Sequence, residues 1–495
     1  MDWLITLLTI VYVLSALALT VYASSTLVLI AIWLVRARLR HEEPSADAIA
    51  SWPVVLVQLP VFNERLVIGR LIDAVAALDY PRDRLIVQVL DDSTDDTPEL
   101  IAQKVAQVAR TGLLIAHVRR RERTGYKAGA LNYGLACVPQ ADLVAVFDAD
   151  FVPPADFLRR VVPYFVKSAQ LGMVQTRWAH LNADHNWLTR AQALSLDGHF
   201  VIEQTARSRG GLLMNFSGSG GVWRAECIRS AGGWSFDTLA EDLDLSYRAQ
   251  LQGWRFLYLP ELAVPAEIPP QIAAYRQQQA RWAKGSTQNL LLHFGALWRS
   301  RRFRVVQKLM GTFHLAQYVV HPIMLVLLML TPLLLATGAL QRLPLAPLGL
   351  AGMGPPLLFL LSQRHLYDAW PRRLLAIPVL MLVGTGLSLN NSLAVVDALR
   401  GNPNVFYRTP KFDRMAWQQS RYALRHASAA FGEACLAAYA VFGIVLAVRH
   451  APALVPFLFI YAASFGTVAL WSILEAKQVQ RQGPRQQSVR EQAPV

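Results

Sequence analysis

Cysteine is nearly absent: three residues in 495, Cys137, Cys227 and Cys435, odd in number and far apart. That pattern makes neither a disulfide framework nor a thiolate metal site, and it fits single buried thiols in a reducing compartment. Acidic residues are also scarce, 34 against 48 basic ones, for a formal net charge of +14. Such a balance points either to nucleic acid or to membrane headgroups. No nucleic-acid motif accompanies it, so nucleic acid is not an expected partner. The ATPase phosphate loop G-x-x-x-x-G-K-[ST] is missing as well, which argues against a nucleotide-driven transporter. Between Leu4 and Val35 there is no charge at all. About 20 apolar residues span a bilayer core, so this run is long enough for one tilted helix. It has no basic leader and exceeds a typical signal-peptide core, so it reads as an anchor.

What is present is apolar and unevenly spread. Hydrophobic residues make up 54% of the chain. Uncharged runs return at Leu315–Leu340, Leu343–Leu361, Leu374–Val396, Ala434–Val448 and Ala451–Leu474, whereas Trp52 to about Arg299 has none. The expected order is an anchor (1–36), a polar domain (50–270), interfacial helices (271–308), membrane segments (309–400), a loop (401–430), a membrane hairpin (431–476) and a basic tail (477–495). Arginines flank the apolar runs at 36, 38 and 40, at 299, 301, 302 and 304, and at 372 and 373. Positive charge collects on the cytoplasmic side, so the polar domain is expected in the cytoplasm, most simply at a bacterial inner membrane, with lipids as partners. One conflict stands. Ser362–Arg373 and Tyr407–Arg414 are both basic, yet a single crossing by Leu374–Val396 would put them on opposite sides.

Within the polar domain, short runs rich in Val, Ile and Leu (VVLVQLP, RLIVQVLDD, LLIAHV, DLVAVFDAD, GMVQTRW) read as strands buried on both faces. Amphipathic stretches at 65–78, 98–110, 127–137 and 154–168 read as helices between them. The alternation predicts an α/β fold, a doubly wound and mostly parallel sheet, joined to an α-helical transmembrane bundle. Ligands of such sheets sit beyond the carboxyl ends of the strands. The polar residues gather there: Asn63 and Glu64, Asp91 and Asp92, Asp148 and Asp150. Asp95 and Asp96 read instead as helix-cap or turn residues.

Asp148 and Asp150, one residue apart at the end of a buried strand, would repel unless a cation compensates. Mg²⁺ typically takes one or two carboxylates together with substrate phosphates, and Mn²⁺ accepts the same ligands, so the pair is a candidate metal–diphosphate site. Lys127, at the mouth of a predicted helix, can pair with a diphosphate there.

In combination, QVLDDSTDD, GYKAGALN, FDADF, AEDLDL and QQARW resemble the spaced D, DxD, (T)ED and QxxRW elements of the membrane-embedded family 2 glycosyltransferases, the processive β-glycan synthases. VLVQLPVFNER, VQTRW and SGSGGVWR look closest to the cellulose synthase-like A group, the glucomannan 4-β-mannosyltransferases. The likeness covers about Trp52 to Leu291 and returns in YRTPKF. It implies a GT-A type domain that transfers a hexose from a nucleotide sugar, GDP-mannose or UDP-glucose, with inversion, to a growing β-glycan (mannan, glucomannan or glucan). A lipid glycosyltransferase acting on ceramide or diacylglycerol is the alternative. A metal-held diphosphate needs no general acid, so one carboxylate base suffices.

The resemblance assigns that base to Asp242, with Glu241 beside it, and Mg²⁺ or Mn²⁺ to Asp148 and Asp150. Asn63, Glu64, Asp91, Asp92, Lys127, Arg281, Thr409 and Lys411 are expected at the donor. Trp282, Gln278, Ser217 and Gly218 are expected at the acceptor, with NFSGSGG (Asn215–Gly221) as a flexible loop. Ala240 departs from the threonine of many members. Protein partners are left open.

Overall fold

The computed structural model describes residues 2–36, 44–46, 49–342, 352–413, 417–424 and 430–482. Arg38, Arg40, Arg414, most of the basic tail and the first residues of the run after Gln341 lie outside them. The polar domain is built on one seven-stranded sheet in the order β3-β2-β1-β4-β6-β5-β7. Its strands are β1 (Val55–Val61), β2 (Leu85–Asp91), β3 (Leu114–Arg119), β4 (Leu143–Val146), β5 (Leu171–His180), β6 (Gly221–Arg224) and β7 (Arg255–Ala266). All neighbours pair in parallel except β6, which runs antiparallel to both β4 and β5.

Alternation along each strand feeds two cores. Val55, Val57, Leu59 and Val61 enter one, with Leu143, Ala145 and Phe147; Leu56, Val144, Val146 and Trp223 enter the other. Both faces are covered, which is why these strands are nearly continuous in apolar residues. Helices at Ile68–Ala76, Thr97–Ala109, Tyr126–Ala136 and Phe157–Lys167 fall within a few residues of the predicted ones.

The apolar regions form helices around this domain. Asp2–Arg36, Ala430–His450 and the segment Pro452–Arg481 are each long and apolar enough to cross a membrane. Two further pairs are bent: Val305–Leu315 with Val320–Ala336 by 69°, and Trp370–Gly386 with Ser388–Leu399 by 41°. The second pair covers the segment on which the topological conflict turns. At its start Arg373 lies 3.6 Å from Asp197, and near its end Asp397 lies 2.6 Å from Lys284 Nζ. Both ends thus contact the polar domain or the long helix packed on it.

The interfacial helix is long, Ile272–Arg299, and lies across the mouth of the domain. It approaches the helix Glu241–Gln252 through Gly285, where a Cβ would stand 2.8 Å from both the Ala240 Cβ and its backbone nitrogen. Any larger residue would push the two helices apart. Its other anchor is ionic. The buried Arg276 guanidinium donates to Glu433 (2.9 Å) and to Ser472 (3.2 Å) of the two C-terminal apolar helices.

Candidate active site

β4 ends at Val146, and the chain then turns, with Phe147 N donating to Gln58 O and Phe151 N to Asp148 O. This turn places Asp148 and Asp150 at the carboxyl edge of the sheet, in the wall of one cavity of about 570 Å³. Glu64, Asp92, Lys127, Glu241, Asp242, Gln278, Arg281, Trp282, Ser217, Gly218, Thr409 and Lys411 line the same cavity. Residues spread from Glu64 to Lys411 therefore share one space.

The two aspartates do not face each other unshielded. Lys127 Nζ donates to Asp148 Oδ1 (2.6 Å) and to Gly218 O (2.8 Å), while Lys411 Nζ donates to Asp150 Oδ2 (2.7 Å) and to Glu267 O (2.6 Å). Burial alone would lower the Lys127 pKa, but Asp148 and Glu241 raise it above its ordinary value. Among the described residues no three His, Cys, Asp or Glu side chains converge as a protein-only metal cage requires. Two carboxylates on a cavity wall do suit Mg²⁺ or Mn²⁺ that completes its shell with phosphate oxygens and water. The donor set thus fits a cation arriving with a diphosphate.

Asp242 occupies the second position of the helix Glu241–Gln252. Its Oδ1 accepts from Leu243 N (2.8 Å). Gly218, at φ +83, presses its backbone so close that a Cβ there would lie 2.9 Å from Asp242 Oδ2. Burial first, and the adjacent Glu241 charge second, push the Asp242 pKa up to about 7, with Lys127 opposing. A carboxylate poised there can take a proton near neutral pH. On the opposite wall Arg281 lies over the Phe406 ring, its Cζ 4.8 Å from the centroid, and burial lowers its pKa. It remains a cation, since guanidinium does not deprotonate in proteins.

Two of the expected donor residues face elsewhere. Asn63 does not line the cavity: its Oδ1 accepts from Thr94 N (2.8 Å) and Asp95 N (3.3 Å), shaping the turn after β2. Asp91 is fully buried between Ser93 N (2.8 Å) and His117 Nε2 (2.8 Å), pairing the ends of β2 and β3. Asp92 does line the cavity, but Arg120 holds both its oxygens at 2.5 and 3.0 Å. Asp95 takes the turn role expected of it, accepting from Thr97 N (2.9 Å), whereas the Asp96 side chain makes no cap bond.

NFSGSGG is tied down, not flexible. Buried Gln175 accepts from Ser217 N (2.8 Å) and donates to Ser219 O and Gly220 O (both 3.1 Å); Trp178 Nε1 also donates to Ser219 O (3.0 Å). The loop's backbone groups are satisfied by side chains of β5, which its glycine content gave no reason to expect.

The YRTPKF segment lies in the site itself. Phe406 stacks on Tyr126 at 5.7 Å, and Arg408 grips Glu64 with two bonds of 2.8 Å. Thr409 lines the cavity, and among the described residues its buried hydroxyl has no partner. Glu267, unremarked in the sequence, accepts from Phe412 N and Asp413 N (both 3.2 Å) and from Arg70 (2.8 Å), seating the segment. Arg123, Phe62 and Tyr126 form a cation–aromatic group beside it, with the Arg123 Cζ 3.4 Å from the Phe62 centroid. The only hint of these partners was the motif's basic character.

Comparison with known proteins agrees with this architecture. Residues 53–285 match the family model described as Glycosyltransferase like family 2. Glucomannan 4-beta-mannosyltransferase 9 of Arabidopsis thaliana is 46% identical over 250 residues, covering 49% of this chain and 47% of that protein. Glucomannan 4-beta-mannosyltransferase 1 of Cyamopsis tetragonoloba is 44% identical over 237 residues, covering 47% and 45%. The chain thus spans about half the length of the curated relatives it matches. Among solved structures, the mannosyltransferase PcManGT from Pyrobaculum calidifontis, in complex with GDP-Man and Mn2+, superposes with a TM-score of 0.53 at 23% identity, covering 78% of this chain and 98% of that one. At that identity it shows the shared fold.

Proposed function

We propose, from the premise that residues 53–285 form a family 2 glycosyltransferase domain, that the chain transfers a hexose from a nucleotide sugar to the end of a β-glycan. The observation that carries this is the single cavity in which Asp148, Asp150, Lys127, Arg281, Asp242 and Trp282 meet. Lys127 and Arg281 bind and orient the diphosphate, Arg281 bidentately. Asp148 and Asp150 would hold Mg²⁺ or Mn²⁺, which when bound neutralises charge on the leaving diphosphate. Thr409 offers its unpartnered hydroxyl to the same group. Trp282 stacks on the acceptor's terminal sugar and sets it over the base.

Asp242 then removes the acceptor hydroxyl proton as that oxygen bonds to C1 of the donor sugar. The C1–oxygen bond breaks on the opposite face, and its electron pair leaves with the diphosphate. An α-linked donor yields a β-linkage. Glu241 keeps Asp242 basic and partners Lys127, 3.7 Å away. Relatives of about 46% identity act as glucomannan mannosyltransferases, which favours GDP-mannose over UDP-glucose as donor.

A polymer is favoured over a glycosylated lipid because the relatives that match this domain are glucomannan mannosyltransferases. The apolar helices make this a membrane-associated chain. The arginines at 299–304 support a domain on the cytoplasmic side. The relatives are plant enzymes and lend no support to a bacterial inner membrane. Membranes supplied with labelled GDP-mannose and UDP-glucose, followed by linkage analysis, test the reading: a β-linked polymer supports it, and a single sugar on lipid replaces it with the alternative.

A further inference from the structure

The wall of the same cavity carries a titratable pair that the transfer step does not use. Residues Gly198–Glu203 form a π-helical turn between the helices Trp187–Asp197 and Gln204–Gly210, with Gln204 N donating to His199 O, five residues back. Such widened turns recur at functional sites, where they re-aim side chains. Here His199 Nδ1 lies 2.8 Å from Glu203 Oε2, and Gln204 Nε2 lies 3.3 Å from His199 Nε2. An amide nitrogen is a donor, so Nε2 accepts and the ring proton sits on Nδ1, pointing at Glu203. Gln204 is held in turn by Asn215 Oδ1 (3.0 Å), at the start of the loop that carries Ser217 and Gly218.

The pair is not sealed. His199 and Glu203 keep 26% and 30% of their side-chain surface open, and both line the cavity shared by Asp242 and Trp282. Among the described residues no protein donor reaches Glu203 Oε1. Burial alone would raise the Glu203 pKa, but the His199 proton and the nearby Arg207 charge hold it below its ordinary value, so the group is an anion. Ser217 lines the same cavity, and among the described residues its buried Oγ has no partner. A half-open carboxylate, fixed by one donor and free on its second oxygen, calls for neutral O–H donors. An anionic diphosphate would be repelled there.

We propose that the Glu203–His199 pair binds hydroxyl groups of the acceptor glycan behind its reacting end, making it an acceptor-binding and specificity-determining group. The proposal rests on the transferase reading and adds a subsite to it. Gln204 and Asn215 are its positioning residues, coupling the subsite to the loop that touches Asp242.

The test uses the full chain in lipid nanodiscs, with GDP-mannose or UDP-glucose as donor and a β-1,4-linked mannotetraose or cellotetraose as acceptor. Glu203→Gln is expected to raise the acceptor KM at least tenfold while kcat at saturating acceptor falls less than threefold. Nucleoside diphosphate affinity, read by calorimetry, should stay within twofold. Glu203→Asp should recover part of the loss. His199→Gln, which keeps a neutral donor, should raise the acceptor KM less than Glu203→Gln, and it stands in as the test variant if the latter does not fold. An acceptor KM within twofold of the unmodified protein in both variants overturns the proposal and leaves the transferase reading standing. If the unmodified protein releases no nucleoside diphosphate from either donor, the transferase reading and the subsite fall together.

Discussion

Replacing Asp242 by asparagine separates the chemistry from the architecture, because the two side chains differ by one charge and not by shape. The Asp242 pKa of about 7 means that near pH 8 the carboxylate is mostly ionised and able to accept a proton, while near pH 6 about nine-tenths of it is already protonated. The unmodified protein should therefore lose about tenfold in kcat/KM between pH 8 and pH 6. Asparagine cannot take the proton, so Asp242→Asn should cost roughly 10²- to 10⁴-fold at pH 8, about 3–5 kcal/mol of barrier, and its residual rate should be flat across that range.

Stability should move the other way. A carboxyl whose pKa is raised in the folded state contributes stability that is complete below its unfolded value and lost as pH climbs through the folded one. Above about pH 7 the charged Asp242 is thus a burden. The rise from 3.8 to about 7, at about 1.4 kcal/mol per tenfold, sets a ceiling of about 4 kcal/mol. Asp242→Asn should accordingly unfold at a higher temperature than the unmodified protein at pH 8, and with a smaller or no advantage at pH 5. The assays are nucleoside diphosphate release and thermal unfolding in detergent. Transfer within tenfold of normal, or a pH limb near 7 that persists in the variant, would refute the base assignment.

Three further outcomes follow from distances in the structure. Asp150→Ala removes an oxygen donor from the metal–diphosphate side and frees Lys411; donor affinity should fall about tenfold or more and lose its sensitivity to a chelator, and a chelator without effect on the unmodified protein would contradict the metal assignment. Gly218→Ala puts a methyl group 2.9 Å from Asp242 Oδ2 on a backbone at φ +83; turnover should drop about 10²-fold with donor binding retained, and near-normal turnover would show that this contact does not set the base. Arg276→Met leaves Glu433 buried and unpaired; it should lower stability by about 3–5 kcal/mol, and Arg276→Met with Glu433→Leu should regain most of it, so a double variant as unstable as the single one would refute the pairing.

Strands β1, β2 and β4 were legible because each is a nearly unbroken apolar run buried on both faces. β3, at the sheet edge, was found from its apolar letters but is half-exposed rather than covered on both faces. β6 and β7 were not legible. β6 is four residues long and follows a Gly- and Ser-rich segment whose turn signals mask it, while β7 contains Pro260 and Pro265 and pairs with β5 through a register shift between Thr176 and Arg177. Among site residues, Asp148, Asp150, Lys127, Asp242, Arg281 and Trp282 could be read because each sits in a short spaced motif and all meet in the cavity. Asp91 and Asn63 show the limit of that reading. A polar residue at a strand end has backbone and neighbouring-strand partners available, and only the fold decides whether it turns toward ligand or toward them. Glu267 and Lys411 belong to segments 144 residues apart, so no local pattern could pair them.

The most direct measurement is the anomeric and linkage analysis of whatever the purified protein makes from a labelled nucleotide sugar. A β-linked hexose chain, made only with divalent metal present and missing with Asp242→Asn, is the predicted result. An α-linked product, or transfer that survives Asp242→Asn at full rate, would contradict the account.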